Sequence, residues 1–191
     1  MNLDNIKDNN QSKIFILSGK AESGKTTCGE MIKTYYESQG KKVLELSYAK
    51  YLKQYAKDYF NWDGSEETKP RKLLQVLGTD IIRQKLDMPY FHVDRICEDV
   101  EILSYFYDII IIPDGRFPNE IEIPSFMFGL DRVITIRMIR DNHISKLTNE
   151  QLKHISECAL DNYLDFDYVI NAKNIKELEE KINNIIKNIE E

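Results

Sequence analysis

The chain has 191 residues, which is room for one domain with a small insertion and not for two full cores. Its 42% hydrophobic and 30% charged residues exclude a disordered or fibrous chain. A net charge of −6, from 26 Lys+Arg against 32 Asp+Glu, excludes the strongly basic footprint of a nucleic-acid binder.

Residues 1–12 read as a loose polar tail. Lys13-Ile14-Phe15-Ile16-Leu17-Ser18 is a short apolar run suited to a buried parallel strand. It leads into Gly19-Lys20-Ala21-Glu22-Ser23-Gly24-Lys25-Thr26-Thr27, and a helix is expected from there to about Gln39, with Gly40 as its stop. Val43–Ser47 predicts a second strand. Tyr48 to Phe60 predicts a helix with Tyr48, Leu52, Tyr55 and Tyr59 on one face. Residues 61–70 form a loop by composition. Arg71 to about Leu86 is helical, with Leu73, Leu74, Leu77 and Ile81 on one side. Gly78 inside that pattern costs about 1 kcal/mol relative to Ala, so either the helix is interrupted there or something closely approaches its backbone.

A helix follows from His92 to Ser104. Asp108–Asp114 is the most apolar strand, with Pro113 expected at its end because proline lacks an N–H. Pro118 opens a helix whose first-turn Glu120 and Glu122 suit the dipole. Asp131–Met138 is a fourth strand. Residues 139–157 are too irregular for a core element. Asp167–Asn171 is a fifth strand, and Ile175, Leu178, Ile182, Ile185 and Ile189 mark a final amphipathic helix. This alternation predicts an α/β fold in one domain, 1–191: a parallel sheet of about five strands with helices on both faces.

Several function classes drop out. No apolar run approaches the roughly 18 residues a membrane helix needs, and no secretory pattern opens the chain, so a cytoplasmic protein is expected. Three cysteines and three histidines lack disulfide or zinc spacing; the cysteines are expected to be small buried or half-buried residues. Between Lys41 and Lys85 there are 10 basic against 6 acidic residues, a positive stretch that would suit an anionic substrate.

Gly19 to Thr26 fits G-x-x-x-x-G-K-[ST]. The glycines let backbone N–H groups turn toward phosphate oxygens, Lys25 reaches the β and γ phosphates, and the Thr26 hydroxyl is a Mg²⁺ ligand. The candidate phosphate-binding set is Gly19, Ala21, Glu22, Ser23, Gly24, Lys25, Thr26 and Thr27, with Arg137. Asp114, at the end of an apolar strand, is where such proteins place the carboxylate that orients Mg²⁺. Phosphoryl transfer also needs cations around the moving group. Arg83, Arg116, Arg137 and Arg140 are candidates, and Lys25, Arg116 and Arg140 are the expected catalytic ones. A monophosphate acceptor, with a second pKa of about 6, needs no general base.

The blocks GKAESGKTT (19–27), LGTDIIR (77–83), DGRFPNE (114–120) and HISE (154–157) occur in order. In this the chain resembles the phage and bacterial deoxynucleoside monophosphate kinases of the P-loop kinase class. The resemblance implies a P-loop kinase fold, ATP with Mg²⁺ as donor, and a deoxynucleoside monophosphate as acceptor. It places Asp80, Arg83, Arg116 and Asn119 on the acceptor side and makes Arg137, Arg140 and the stretch to Glu157 a lid. Glu22 departs from relatives that carry a basic residue there. A kinase of another phosphorylated metabolite, as in the related phosphomevalonate kinases, stays open, as does a non-catalytic nucleotide-binding protein. A GTPase is disfavoured, because no [NT]KxD motif occurs. The oligomeric state, a homodimer included, is not fixed by the sequence.

Overall fold

The computed structural model describes residue 6, residues 11–140 and residues 148–191. The expected tail over 1–12 and the middle of the expected lid, 141–147, lie largely outside the described residues. Ser12 is described and is no loose tail. It is buried, and its hydroxyl donates to the carbonyls of Ser104 at 3.1 Å and Tyr107 at 2.6 Å.

The strands are β1 Lys13–Gly19, β2 Val43–Glu45, β3 Ile109–Gly115, β4 Val133–Ile139 and β5 Tyr168–Asn171. They form one parallel sheet of order β2-β3-β1-β4-β5, the predicted α/β arrangement. Residue parity explains why the central strands read as unbroken apolar runs: both faces are covered. Phe15, Leu17, Ile109 and Ile111 pack on one side, with Ile32 of α1 (Lys25–Ser38) and Ile182 of α8 (Ile175–Glu190). Ile14, Ile16, Ile110 and Ile112 pack on the other, with Ile96 of α4 (Phe91–Leu103) and Ile121 of α5 (Asn119–Phe128). Each such fully buried side chain contributes about 1.5–3 kcal/mol.

Three local features position the site. Pro113 sits at a bulge in β3. Ile16 pairs with Ile112 and Ser18 with Gly115, so Pro113 and Asp114 oppose Leu17 alone. A proline fits where no ladder hydrogen bond is required, and the bulge re-aims Asp114. The helix α2 runs Lys50–Phe60, shorter than expected, and buries Leu52 and Ala56 while Tyr59 is 74% exposed. The aromatic face anticipated through Tyr59 therefore ends early.

The helix expected over Arg71–Leu86 is two elements. A short α3, Arg71–Gln75, passes into a π-helical segment, Val76–Lys85. The wider turn rotates the residues that follow, so the buried positions are Gly78, Thr79 and Ile82, not the Leu73–Ile81 stripe. Gly78 has the close neighbour that its position suggested: a Cβ there would lie 2.7 Å from Leu52 Cδ1. Two four-residue helices, α6 Asn149–Leu152 and α7 Ile155–Cys158, occupy the described end of the irregular segment. Cys28 and Cys97 are buried and Cys158 is partly so, all three free.

Candidate active site

The loop Gly19–Gly24 joins β1 to α1 through backbone conformations that few side chains tolerate. Gly19 has φ +151° and Gly24 φ +97°, and Glu22 takes a left-handed φ of 61°. A Cβ at Gly19 would sit 2.6 Å from the Met138 carbonyl oxygen, so only glycine lets β1 pass β4 here. The first turn of α1 holds no acidic residue, which leaves the positive end of the helix uncompensated by its own side chains. Thr26 is exposed in that turn and Thr27 is half-buried.

Lys25 lies folded over the loop. Its Nζ donates to the Gly19 carbonyl at 2.8 Å and the Lys20 carbonyl at 2.6 Å. Burial pushes its pKa down to about 7, with Arg116 and Arg137 acting in the same direction and Glu157 and Asp114 opposing them. Lys25 therefore feels charged groups from both of the cavities that flank the loop.

The smaller cavity, about 190 Å³, lies between α2, α3, the π segment and the end of β3. Its walls carry Lys53, Lys69, Arg71, Arg83 and Arg116 against Asp114, Glu120 and Glu157, five cations against three carboxylates. Leu52, Leu74 and Phe117 supply apolar surface, and Gln75, Thr79 and His92 supply polar groups. The positive excess anticipated over 41–85 thus lines one cavity, through Lys53, Lys69, Arg71 and Arg83. His92 is buried, its Nδ1 has no hydrogen-bond partner among the described residues, and burial drops its pKa to about 4. It is a neutral wall of the cavity.

Arg83 and Arg116 meet in this cavity, as the sequence suggested, and each is held by a carboxylate. Arg83 donates to Glu120 at 2.5 Å and to the Gly78 carbonyl at 2.9 Å, and its guanidinium lies 4.1 Å from the centre of the Phe117 ring. Glu120 also accepts from the N–H groups of Arg116 at 2.7 Å and Phe117 at 3.2 Å. It sits in the first turn of α5 as expected, and there it is also the buried partner of Arg83. Burial pushes its pKa up, against the pull of Arg83. Arg116 donates to Glu157 and to the Ser156 carbonyl. Asp80 and Asn119 do not line the cavity. Asp80 faces His154 Nε2 at 3.7 Å, and the Asn119 amide donates to the Pro89 carbonyl at 2.9 Å.

Asp114 lines the same cavity and anchors the β2–α2 connection. Its carboxylate accepts from the Ser47 hydroxyl at 2.7 Å and from the N–H groups of Tyr48 at 2.9 Å and Ala49 at 3.1 Å. That anchoring role was not visible in the sequence.

The larger cavity, about 700 Å³, lies on the other side of the loop. Lys20, Ala21, Ser23, Arg137 and Arg140 form its polar rim, and Leu160, Tyr163, Leu164, Phe166 and Val169 its apolar part. Arg137 donates to the Ser18 hydroxyl at 2.9 Å, and Arg140 to the Glu22 carbonyl at 3.3 Å. Glu157 Oε2 accepts the Ala21 N–H at 3.1 Å, while Asp161 holds Lys20 at 2.9 Å and Arg137 at 3.4 Å. Neither Glu157 nor Asp161 was assigned a role from sequence. Membership of the HISE block was the signal for Glu157, and for Asp161 the signal was its place in Leu160-Asp161, just beyond that block.

A family model for deoxynucleotide monophosphate kinase matches residues 35–182. The chain belongs to that family. The match starts after the phosphate loop, so the loop's assignment stands on its own residues and geometry. A search of curated proteins gives no significant match. Among solved structures, the APS kinase CysC of Mycobacterium tuberculosis in complex with AMPPNP and APS is similar at a TM-score of 0.56 and 10% identity, covering 95% of this chain and 99% of that one. A mutant of the same kinase gives a TM-score of 0.50 at 11% identity, with the same coverage. At such identity the likeness shows the P-loop kinase fold alone. Family and fold together support nucleotide-kinase activity for this deoxynucleotide monophosphate kinase relative. No described helix is long and apolar enough to cross a membrane.

Proposed function

We propose that the protein transfers the γ-phosphoryl group of ATP to a deoxynucleoside monophosphate. The observation that carries this reading is the position of the loop between two cavities: Lys20, Ala21 and Ser23 line the larger, the Ala21 N–H meets Glu157 of the smaller, and Lys25 lies folded over that loop. A phosphotransferase between two nucleotides needs that arrangement: a donor pocket, an acceptor pocket, and a cation at the border where the phosphoryl group crosses.

In this reading the 700 Å³ cavity takes the donor. Its apolar wall suits a planar base, and its rim of Lys20, Arg137 and Arg140 suits a polyphosphate. The loop N–H groups from Gly19 to Thr27 and the start of α1 receive the β and γ phosphates. The 190 Å³ cavity takes the acceptor, with Arg116 toward its phosphate, Arg83 holding the wall beside it, and Phe117, Gln75 and Thr79 toward its base and sugar. Asp80 and Asn119 act from outside the walls, through the π segment and the start of α5. The acceptor phosphate is a dianion near neutral pH and is its own nucleophile. Lys25, Arg116 and Arg140 then supply positioning and charge neutralisation as negative charge spreads over the transferring group.

Mg²⁺ fits as an ion that arrives with the nucleotide. Among the described residues no cluster of three or more His, Cys, Asp or Glu could hold a resident metal. Mg²⁺ bound to phosphates keeps several waters and needs only one or two protein oxygens. Thr26, and Asp114 through water, would supply them, and the ion would neutralise phosphate charge there.

The test measures ADP release from ATP across ribo- and deoxynucleoside monophosphates, with phosphomevalonate as control. Deoxynucleoside monophosphates should be preferred. Lys25→Ala should lower the rate about a hundredfold or more, the loss expected for one preorganised contact worth about 3 kcal/mol. Turnover of phosphomevalonate alone, or an unchanged rate in Lys25→Ala, would overturn the reading.

A further inference from the structure

Two carboxylates four residues apart, Glu157 and Asp161, each hold one group of the phosphate loop and one arginine. Glu157 accepts from the Ala21 N–H at 3.1 Å and from Arg116. Asp161 accepts from Lys20 at 2.9 Å and from Arg137 at 3.4 Å. The four groups so engaged, a loop N–H and three cations, are the kind a polyphosphate needs. A carboxylate oxygen on a loop N–H and an arginine does what a phosphate oxygen would do there.

We propose that Glu157 and Asp161 are positioning residues that keep these groups preorganised and surrender them to the incoming polyphosphate. In doing so they link donor binding to the acceptor cavity. The proposal rests on the phosphotransferase reading above and adds an order of events to it.

The exchange follows from charge. A phosphate at Ala21 and Lys20 would place several negative charges beside both carboxylates, and like charges at that distance repel. Leu160, buried between the two, fixes the backbone of this stretch, so the change is a rotation of side chains. Asp161 is exposed and rotates into water at little cost. Glu157 is buried, and its other partner is Arg116, on the acceptor side. When Glu157 leaves Ala21, Arg116 keeps the Ser156 carbonyl and turns the rest of its fork to the acceptor phosphate. Binding energies are reciprocal, so the acceptor should in turn favour the donor.

A merely structural pair makes a different forecast. If Glu157 and Asp161 only brace α7 against the loop and keep those contacts while a polyphosphate binds, removing their charge relieves at most a small screened repulsion and leaves the response of monophosphate binding to the ATP analogue as it is in the wild type. If they compete, removing the charge should tighten binding, because a smaller share of molecules must first break the contact.

The experiment measures tripolyphosphate binding by titration calorimetry in the wild type, Glu157→Gln and Asp161→Asn. Both variants keep an oxygen acceptor and lose the charge, and a thermal melt checks that each is folded. We expect the dissociation constant to fall by about 3- to 10-fold in each. Deoxynucleoside monophosphate binding is then measured with and without a non-hydrolysable ATP analogue. The analogue should tighten it severalfold in the wild type and hardly at all in Glu157→Gln. If the wild type binds neither tripolyphosphate nor the analogue, the phosphotransferase reading fails and the inference falls with it. If the wild type binds both but the variants bind tripolyphosphate equally or more weakly, or the analogue tightens monophosphate binding in Glu157→Gln as it does in the wild type, only the inference is overturned. Should Glu157→Gln not fold, Asp161→Asn decides by the same measure.

Discussion

The 190 Å³ cavity, the proposed acceptor site, holds two arginine–carboxylate pairs that look alike chemically and differ in their surroundings. In the Arg83–Glu120 pair the side chains are 11% and 3% exposed, and in the Arg116–Glu157 pair 27% and 6%. Glu120 spends its remaining capacity on the N–H groups of Arg116 and Phe117, which belong to the turn ahead of its own helix. Arg83 is further pinned by Gly78 and by the Phe117 ring. Every partner of the first pair is a fixed part of the wall. Glu157 instead reaches an N–H of the phosphate loop, a group whose proposed work is to meet a ligand. The comparison teaches that pairing alone does not separate a structural arginine from a working one. What separates them is whether the carboxylate's other contacts are with the fold or with the site.

The largest effect follows from breaking the fixed pair. Glu120→Ala would leave the Arg83 guanidinium buried without its counter-charge. Losing one member of a buried pair costs about 3–5 kcal/mol. Glu157→Gln should change stability by less than about 1 kcal/mol, because Arg116 is partly hydrated and keeps the Ser156 carbonyl. Urea unfolding of the two variants checks this. Equal losses would collapse the distinction between the pairs.

Next in size is a pH effect that sharpens the description of the loop between them. Burial holds the Lys25 pKa near 7, far below its ordinary value. A bound phosphate favours the charged amine, so binding above pH 7 must take up a proton. The proton is needed only above the pKa of the free protein. Affinity for a polyphosphate is therefore flat below about pH 7 and falls as pH rises toward 9, by at most tenfold per unit. Lys25→Arg, whose charge does not titrate in this range, should flatten the profile. Calorimetry across pH reads the slope, and a wild type as flat as Lys25→Arg would show that the lysine is charged throughout.

How much of this was legible in the sequence depends on the distance over which each feature is encoded. The strand, glycine loop and helix at 13–38 are local, and so is the apolar run Ile109–Ile112; each is written in adjacent residues. The π turn is not, because an extra residue per turn leaves the apolar spacing of Arg71–Leu86 looking like an α-helix. Glu120 was read as a dipole carboxylate because its position in the first turn of α5 is visible, while Arg83 lies 37 residues away in the chain. Glu157 and Asp161 meet the phosphate loop across 136 and 141 residues, a separation no periodicity reports. The family blocks marked several of these residues without saying what they touch. Pairing, and with it the difference between Arg83 and Arg116, exists only in three dimensions.

The smallest effect is the finest test of that difference. Arg83→Lys and Arg116→Lys both keep a positive charge and lose the planar fork. For Arg116 the fork is proposed to bind the acceptor phosphate once Glu157 lets go, so the lysine variant should raise the Michaelis constant for the monophosphate severalfold, roughly 1 kcal/mol. Its stability and its Michaelis constant for ATP should hardly move. For Arg83 the same change removes the bond to Gly78 or to Glu120 and the stacking on Phe117, so stability should fall by about 1–2 kcal/mol. The monophosphate constant should rise there as well, because the wall that carries Phe117 loosens. The two variants thus separate by stability, not by substrate affinity. If Arg116→Lys destabilises as much as Arg83→Lys, both arginines are structural and the acceptor phosphate binds to Lys53, Lys69 or Arg71. If the constant for ATP rises in Arg116→Lys, that arginine serves the donor, and the border between the two cavities must be redrawn on the other side of Lys25.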